Sequence, residues 1–251
     1  MTTEKIANSD QLQPVEVKDV PMTLTCRSCS KQFTAMFTSF NGRPWMVCHY
    51  CHPCSELQRA KAKEEEKVKQ ARQREELIRK NVPKLFLTTD LVRLSPSALK
   101  ATLAWCAEAP STQGLILIGP TNGGKTRLLW EAYKALVRRG VTVRVHTETD
   151  LRNLLLKSGT LEAREELRRR LKRVAVLALD DLGKTKLTEA AEELIFDLVD
   201  YRYTRELPLI VTTQHGGDKL AQRFADVANG AAFARRLRDT CRIVTVDVTP
   251  C

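Results

Sequence analysis

No part of this 251-residue sequence restricts its fold more than GLILIGPTNGGKT, residues 114–126. Leu115 to Ile118 are all apolar, as in a strand buried on both faces, and the run Gly119, Pro120, Thr121, Asn122, Gly123, Gly124, Lys125, Thr126 follows without a break. The next segment, RLLWEAYKALVRRG, has helical apolar spacing and stops at Gly140. Strand, G-x-x-x-x-G-K-T turn and helix in that order make a phosphate cradle, because backbone N–H groups and the positive end of the helix converge on one anion. Lys125 is placed for the β and γ phosphate oxygens of a nucleotide, and the Thr126 hydroxyl for a magnesium ion. Asn122 stands where many such loops have another glycine, and asparagine tolerates the left-handed backbone needed there.

A second apolar run, VAVLALDDLG at 174–183, reads as another buried parallel strand ending in two carboxylates. Ligands of open α/β sheets gather at the carboxyl ends of the strands, so this pair is expected at the same rim as the glycine loop. There Asp180 would hold magnesium through water and Asp181 would take the proton of an attacking water. Two acids capping a following helix is the competing explanation. VTVRVHTETD (141–150), LPLIVTTQH (207–215) and CRIVTVDV (241–248) read as further strands. Helical patterns separate them in LRNLLLKSG, EAREELRRRLKR, TEAAEELIFDLVDYRYTRE and AAFARRLRDT. That alternation predicts a parallel, doubly wound α/β sheet with right-handed crossovers.

Five of the eight cysteines fall between positions 26 and 54. Cys26 and Cys29 form one C-x-x-C, and Cys48 and Cys51 form a second after eighteen intervening residues. Such pairs present four thiolates to one zinc ion and close a tetrahedral, structural site with no open position. The intervening SKQFTAMFTSFNGRPWMV alternates around an NGRP turn and reads as a hairpin, too poor in apolar residues to fold without metal. The expected ligands are Cys26, Cys29, Cys48 and Cys51. Cys54 is either spare or a competitor of Cys51, and His49 and His52 are further substitutes. Cys106, Cys241 and Cys251 are isolated and read as ordinary residues.

From Glu56 to Lys80 the chain has no glycine or proline and few apolar residues, which predicts a solvated helix acting as a spacer, with a nucleic-acid-binding arm as the alternative. Asn81-Val82-Pro83 ends it, since the residue before proline is driven out of the helical region. The expected division is a zinc-binding domain at 1–55, a charged linker at 56–80 and a nucleotide-binding domain at 81–251. A net charge of +11 would attract polyanions. No apolar run approaches the ~20 residues of a membrane-spanning helix, and MTTEKIANSDQ has no secretory pattern, so the cytoplasm is the expected location.

Four stretches in order, GPTNGGKT, VAVLALDDLG, FDLVDYRYTRELPLIVTTQ and ARRLRDTCRIVTV, make the chain from Val82 onward resemble the DnaC/IstB-like AAA+ ATPases, which include bacterial and phage helicase loaders. The resemblance implies an AAA+ P-loop ATPase fold lacking a C-terminal lid, with ATP and ADP as ligands. It makes Gln214 the sensor of the γ-phosphate or attacking water, where the family usually has asparagine. It makes Arg236, with Arg235 as rival, the arginine supplied to a neighbouring subunit's nucleotide, and so implies a homo-oligomer. Arg152, Lys157, Arg164, Arg168, Arg169, Arg170, Lys172 and Arg173 fall where related proteins place a DNA-contacting helix. Interleaved Glu162, Glu165 and Glu166 explain the same charges by pairing within the helix. The zinc module would then grip the replicative hexameric helicase, and the ATPase would deliver it to single-stranded DNA in replication initiation, in a bacterium or a phage-infected host. An IstB-like transposition helper, typically without a cysteine front end, and a zinc-dependent adaptor with a nucleotide switch are the alternatives.

Overall fold

A computed structural model of the chain describes residues 17–40, 43–44, 49–110, 113–184, 189–224 and 226–247. The chain divides into two compact units, residues 1–70 and 71–251.

In the first unit β1 (Val17–Thr25) and β2 (Gln32–Phe40) form an antiparallel hairpin with Thr25 opposite Gln32 and Val20 opposite Phe37. The short β3 (Arg43–Pro44) continues the sheet, pairing Arg43 with Phe40. The hairpin of β2 and β3 matches the alternating pattern, whereas β1, ahead of Cys26, was not foreseen. Cys26 and Phe37 are the buried apolar side chains among the described residues of this unit. So small a core stabilises a fold weakly without a staple. The helix α1 (His52–Asn81) starts one residue after Cys51 and ends just before Val82-Pro83, where the proline was expected to stop it.

The last turns of α1 belong to the second unit. Ile78 and Val82 pack on Tyr133 and Val137, Asn81 Nδ2 donates to Tyr133 Oη at 2.9 Å, and Glu75 pairs with Arg138 at 2.7 Å. There follow α2 (Lys84–Leu87), a 3-10 turn (Leu91–Arg93), α3 (Pro96–Glu108), β4 (Gly114–Ile118) and α4 (Lys125–Arg138). Next are β5 (Val143–Thr147), α5 (Glu148–Lys157), α6 (Leu161–Arg173), β6 (Val176–Leu182) and α7 (Glu189–Thr204). The chain continues through β7 (Leu209–Thr213), α8 (Gly217–Ala221), α9 (Val227–Thr240) and β8 (Cys241–Thr245).

The five strands pair in parallel in the order β5-β6-β7-β4-β8. Successive side chains of a strand face opposite sides, and the two cores divide accordingly. Leu115 and Leu117 of β4 pack with Trp105, Leu128 and Leu136 of α3 and α4, while Ile116 joins Leu194, Leu198 and Phe233 of α7 and α9. Because β7 lies between β4 and β6, the residue after β7 sits between the loop after β4 and the acids that end β6.

Two boundaries differ from the sequence pattern. Residues 148–150 were expected in a strand but begin α5, because the Thr147 hydroxyl accepts from Asp150 N–H while the Asp150 carboxylate accepts from Thr147 N–H. The helix α3 starts with Pro96 in its first turn behind Ser95, a start signal that a sparse apolar pattern obscured.

Candidate functional site

Gly119 follows β4, and a Cβ there would lie 2.1 Å from the Val246 carbonyl oxygen, so no larger residue fits. Asn122 and Gly124 have φ of 62° and 91°, the left-handed backbone anticipated for Asn122. Gly123 N–H donates to Pro120 O at 3.2 Å, closing the turn that leads into α4. Lys125 Nζ folds back to donate to Gly119 O at 2.8 Å and Pro120 O at 2.7 Å. Burial lowers its pKa, while the charges of Asp181 and Asp180 oppose that shift. Thr121, Asn122, Gly124, Lys125 and Thr126 line a cavity of about 440 Å³ together with Asp181, Lys184 and Gln214. Leu85, Phe86 and Arg127 complete its lining.

The acids of β6 meet this loop as expected. Asp180 Oδ1 accepts from Thr126 Oγ1 at 3.2 Å and from Thr212 Oγ1 at 2.6 Å. Burial raises the Asp180 pKa, with the Asp181 charge adding to it, although the hydrogen bonds of Thr212 and Thr126 pull the other way. Asp181 has a φ of 56°, and its N–H donates to Thr212 Oγ1 at 2.8 Å. The β6–β7 register slips here, between Leu179 and Leu182. A non-glycine residue held left-handed is strained, and strain of this kind collects at functional sites. Gly183 N–H donates to the Glu148 carboxylate, and Lys184 Nζ lies 3.2 Å from Asp181 Oδ2. Gln214 Oε1 accepts from Thr121 Oγ1 at 3.0 Å, so it reaches the glycine loop. Thr212, Glu148 and Lys184 were missed by the sequence reading. The two threonines closing the apolar strand LPLIVTT were the available signal for Thr212.

Arg236 and Arg235 are separated by their surroundings. Arg236 pairs with Asp200 at 2.8 Å and lies over the rings of Phe196 and Tyr203, 4.8 and 5.9 Å from their centres. Arg235 is exposed and lines a cavity of about 320 Å³ with Ile118, His215 and Leu237. In the basic segment Arg168 pairs with Glu193 at 3.0 Å, Lys172 with Asp197 at 2.7 Å and Arg169 with Glu166 at 2.6 Å. Arg152, Lys157, Arg170 and Arg173 are exposed.

In the first unit the sulfurs of Cys26, Cys29, Cys51 and Cys54 lie within 4.8 Å of one another, and those of Cys29 and Cys51 are 3.6 Å apart. Four Zn–S bonds of about 2.3 Å in a tetrahedron separate the sulfurs by roughly 3.8 Å, so this set fits zinc. Cys54 therefore joins Cys51 instead of competing with it, and Cys48 lies outside the described residues. Cys51 immediately precedes α1 and Cys54 lies in its first turn, where the positive end of the helix favours thiolates. Arg27 N–H donates to His49 O at 2.9 Å and holds the two cysteine turns together. Burial resists ionisation of Cys26, but the amides of Cys51, Cys29 and Ser28 outweigh it and bring the thiol down to about 6. Cys54 is pushed up to about 12, first by Cys51 and then by Cys29, the crowding a shared cation relieves.

No helix among the described residues is long and apolar enough to cross a membrane. A relative from Sinorhizobium fredii, an insertion sequence ATP-binding protein (y4iQ/y4nD/y4sD), is 29% identical over 151 residues, covering 60% of this chain and 49% of its own length. The chain thus spans about half of that protein. The crystal structure of DnaI superposes with a TM-score of 0.57 at 23% identity, covering 67% of this chain and 95% of the other. The DnaC helicase loader gives 0.55 at 22% identity, covering 65% and 99%. These likenesses show the α/β fold, a parallel five-stranded sheet. The model of IstB-like ATP binding proteins matches residues 62–249, a span holding the glycine loop, both aspartates and Gln214, and so the chain belongs to the IstB-like ATP-binding protein family.

Proposed function

We propose that the chain is an ATP-hydrolysing helicase loader that grips a replicative hexameric helicase through its cysteine module and delivers it to single-stranded DNA. The observation that carries the ATPase reading is the Thr126–Asp180 hydrogen bond of 3.2 Å, which joins the two candidate magnesium ligands beside Lys125, Asp181 and Gln214. Magnesium, when bound, would neutralise charge on the phosphates. Lys125 would exchange its two loop carbonyls for phosphate oxygens. Gln214 would orient the attacking water, and Asp181 would accept its proton. Arg235, exposed on α9, is the better donor to a neighbouring copy's nucleotide, because Arg236 is occupied by Asp200. Hydrolysis would then need copies side by side. Zinc, when bound, would tie the turn after β1 to the start of α1, shaping the surface that meets the helicase.

The loader reading draws on the folds of DnaI and DnaC and on the module carried ahead of the ATPase. A second reading, a transposition helper, is favoured by the insertion-sequence relative. The deciding experiment mixes the full chain with a hexameric helicase and, separately, with a transposase and double-stranded DNA. Co-purification with the helicase, lost after zinc removal, supports the loader; binding to the transposase alone supports the helper. ATP turnover with magnesium and single-stranded DNA should fall roughly 10²- to 10⁴-fold in Asp181→Asn. Equal, near-zero rates in both forms would leave a nucleotide switch.

A further inference from the structure

Three cations line the nucleotide cavity, and they are held differently. Lys125 is buried and bound to two loop carbonyls. Arg127 donates to Leu85 O at 3.5 Å and lies over the Phe86 ring, 5.6 Å from its centre. Lys184 alone is bound to a carboxylate, that of Asp181, at 3.2 Å. Its side chain is 61% exposed, and among the described residues Asp181 is the one partner of its ammonium. The backbone beneath it is fixed, since Lys184 N–H donates to Asp181 O at 3.3 Å and Gly183 N–H to the Glu148 carboxylate. The ammonium can therefore move by side-chain rotation while the turn stays in place.

This arrangement poses an electrostatic problem for a triphosphate. Its terminal phosphoryl group brings negative charge into a cavity where the Asp181 carboxylate already stands, and like charges at such distances repel. The ion pair also occupies one carboxylate oxygen of the group expected to take the water's proton. Both difficulties disappear if the ammonium changes partner. Exposed ion pairs are weak, so a phosphoryl group of higher charge displaces a single carboxylate readily.

We infer that Lys184 is a γ-phosphate-responsive residue: it rests on Asp181 in the nucleotide-free chain and transfers to a terminal phosphoryl oxygen when ATP binds, so that the same movement discriminates ATP from ADP and frees Asp181 to act as a base. The inference rests on the ATPase reading above and adds a residue to it. No bond is made or broken in the transfer, and hydrolysis itself proceeds by water as before.

The test is calorimetric titration of the full chain with magnesium and either a non-hydrolysable ATP analogue or ADP, in wild type, Lys184→Met, Lys184→Arg, Asp181→Asn and the Lys184→Met/Asp181→Asn double variant. Lys184→Met should weaken the ATP analogue about tenfold, as expected for a lost charge-assisted hydrogen bond, while ADP affinity stays within about twofold. Lys184→Arg should recover most of the loss. Asp181→Asn should tighten the analogue in both backgrounds by removing a like charge, and a few-fold more with Lys184 present than in Lys184→Met, because competition for the ammonium adds to that repulsion only when the ammonium is there to be held. Equal weakening of both nucleotides, no weakening of either, or an Asp181→Asn effect independent of residue 184 would overturn the inference while leaving nucleotide binding intact. A wild type that binds neither nucleotide would overturn the ATPase reading, and this inference with it.

Discussion

The two units of the chain use their functional atoms in opposite ways. In residues 17–56 the thiols that fit zinc are a large part of what can hold the fold, because Phe37 and Cys26 are the buried apolar side chains described there. In the second unit a five-stranded sheet is packed on both faces, and the site residues burden that fold. Burial raises the pKa of Asp180 and lowers that of Lys125, and Asp181 is held at a φ of 56°. A small module has no surplus stability with which to strain a site, whereas a large core can hold one in a costly geometry.

Removing metal or a ligand should expose this difference most sharply. Structural zinc contributes roughly 10–16 kcal/mol of binding free energy in small modules, so a strong chelator or Cys54→Ser should abolish hydrogen-exchange protection across β1 and β2. The melting transition of the second unit should not move. Protection that survives chelation would mean the hairpin folds on its own packing, and the contrast would fail. Next in size is Arg202, fully buried on α7, whose guanidinium donates to Val174 O, Ala175 O and Pro208 O at 2.9, 2.8 and 2.7 Å. Burial lowers its pKa to about 10. Arg202→Met strands those carbonyls and should cost the second unit about 3 kcal/mol, roughly 10 °C in melting temperature, with zinc content unchanged.

What could be read from the sequence follows from which physics is local. The glycine loop, the left-handed Asn122, the helix stop before Pro83 and the strand order of residue types each depend on neighbours within one turn or strand. The second cysteine turn did not, because C-x-x-C occurs at both 48–51 and 51–54 and spacing cannot choose between them. The start of α1 at His52 brings Cys51 and Cys54 to the cluster. Arg235 and Arg236 are adjacent, so which of them is exposed and which is paired depends on the rotation of α9 against Asp200 and Phe196 of α7. Lys184 reads as an ordinary surface lysine until the bulge at Asp181 turns it toward the cavity.

Smaller changes should run in the stabilising direction, which is the signature of a site held against its fold's interest. Asp181→Gly removes a side chain from a left-handed position and should raise stability by about 1 kcal/mol, near 3 °C, while ending ATP turnover. A loss of stability would mean that the pair with Lys184 outweighs the strain. Asp180→Asn should give a gain below about 1 kcal/mol that depends on pH. With the folded pKa raised, the native state holds its proton in a window where the unfolded state has released it, so the ionised carboxylate destabilises the fold above that window. The cost is fully present above the folded pKa and vanishes as pH falls below the unfolded value. Melting curves of the variant and wild type should therefore differ at pH 8 and converge on acidification; a gap that widens toward acid would reverse the sign.

The smallest expected effect tests the contrast at its other end. If Cys26, Cys29, Cys51 and Cys54 fill the four places of one zinc ion, a fifth thiol has none, and Cys48→Ser should leave one zinc per chain and stability within about 0.5 kcal/mol. Cys54→Ser, by contrast, should lose the metal. The opposite pattern, with Cys48→Ser losing zinc and Cys54→Ser keeping it, would move the second turn back to 48–51 and take Cys54, in the first turn of α1, out of the set, with Cys51 common to both. The pair of measurements thus asks whether the helix dipole or the shorter connection from the hairpin decides which of two equally spaced cysteine pairs binds.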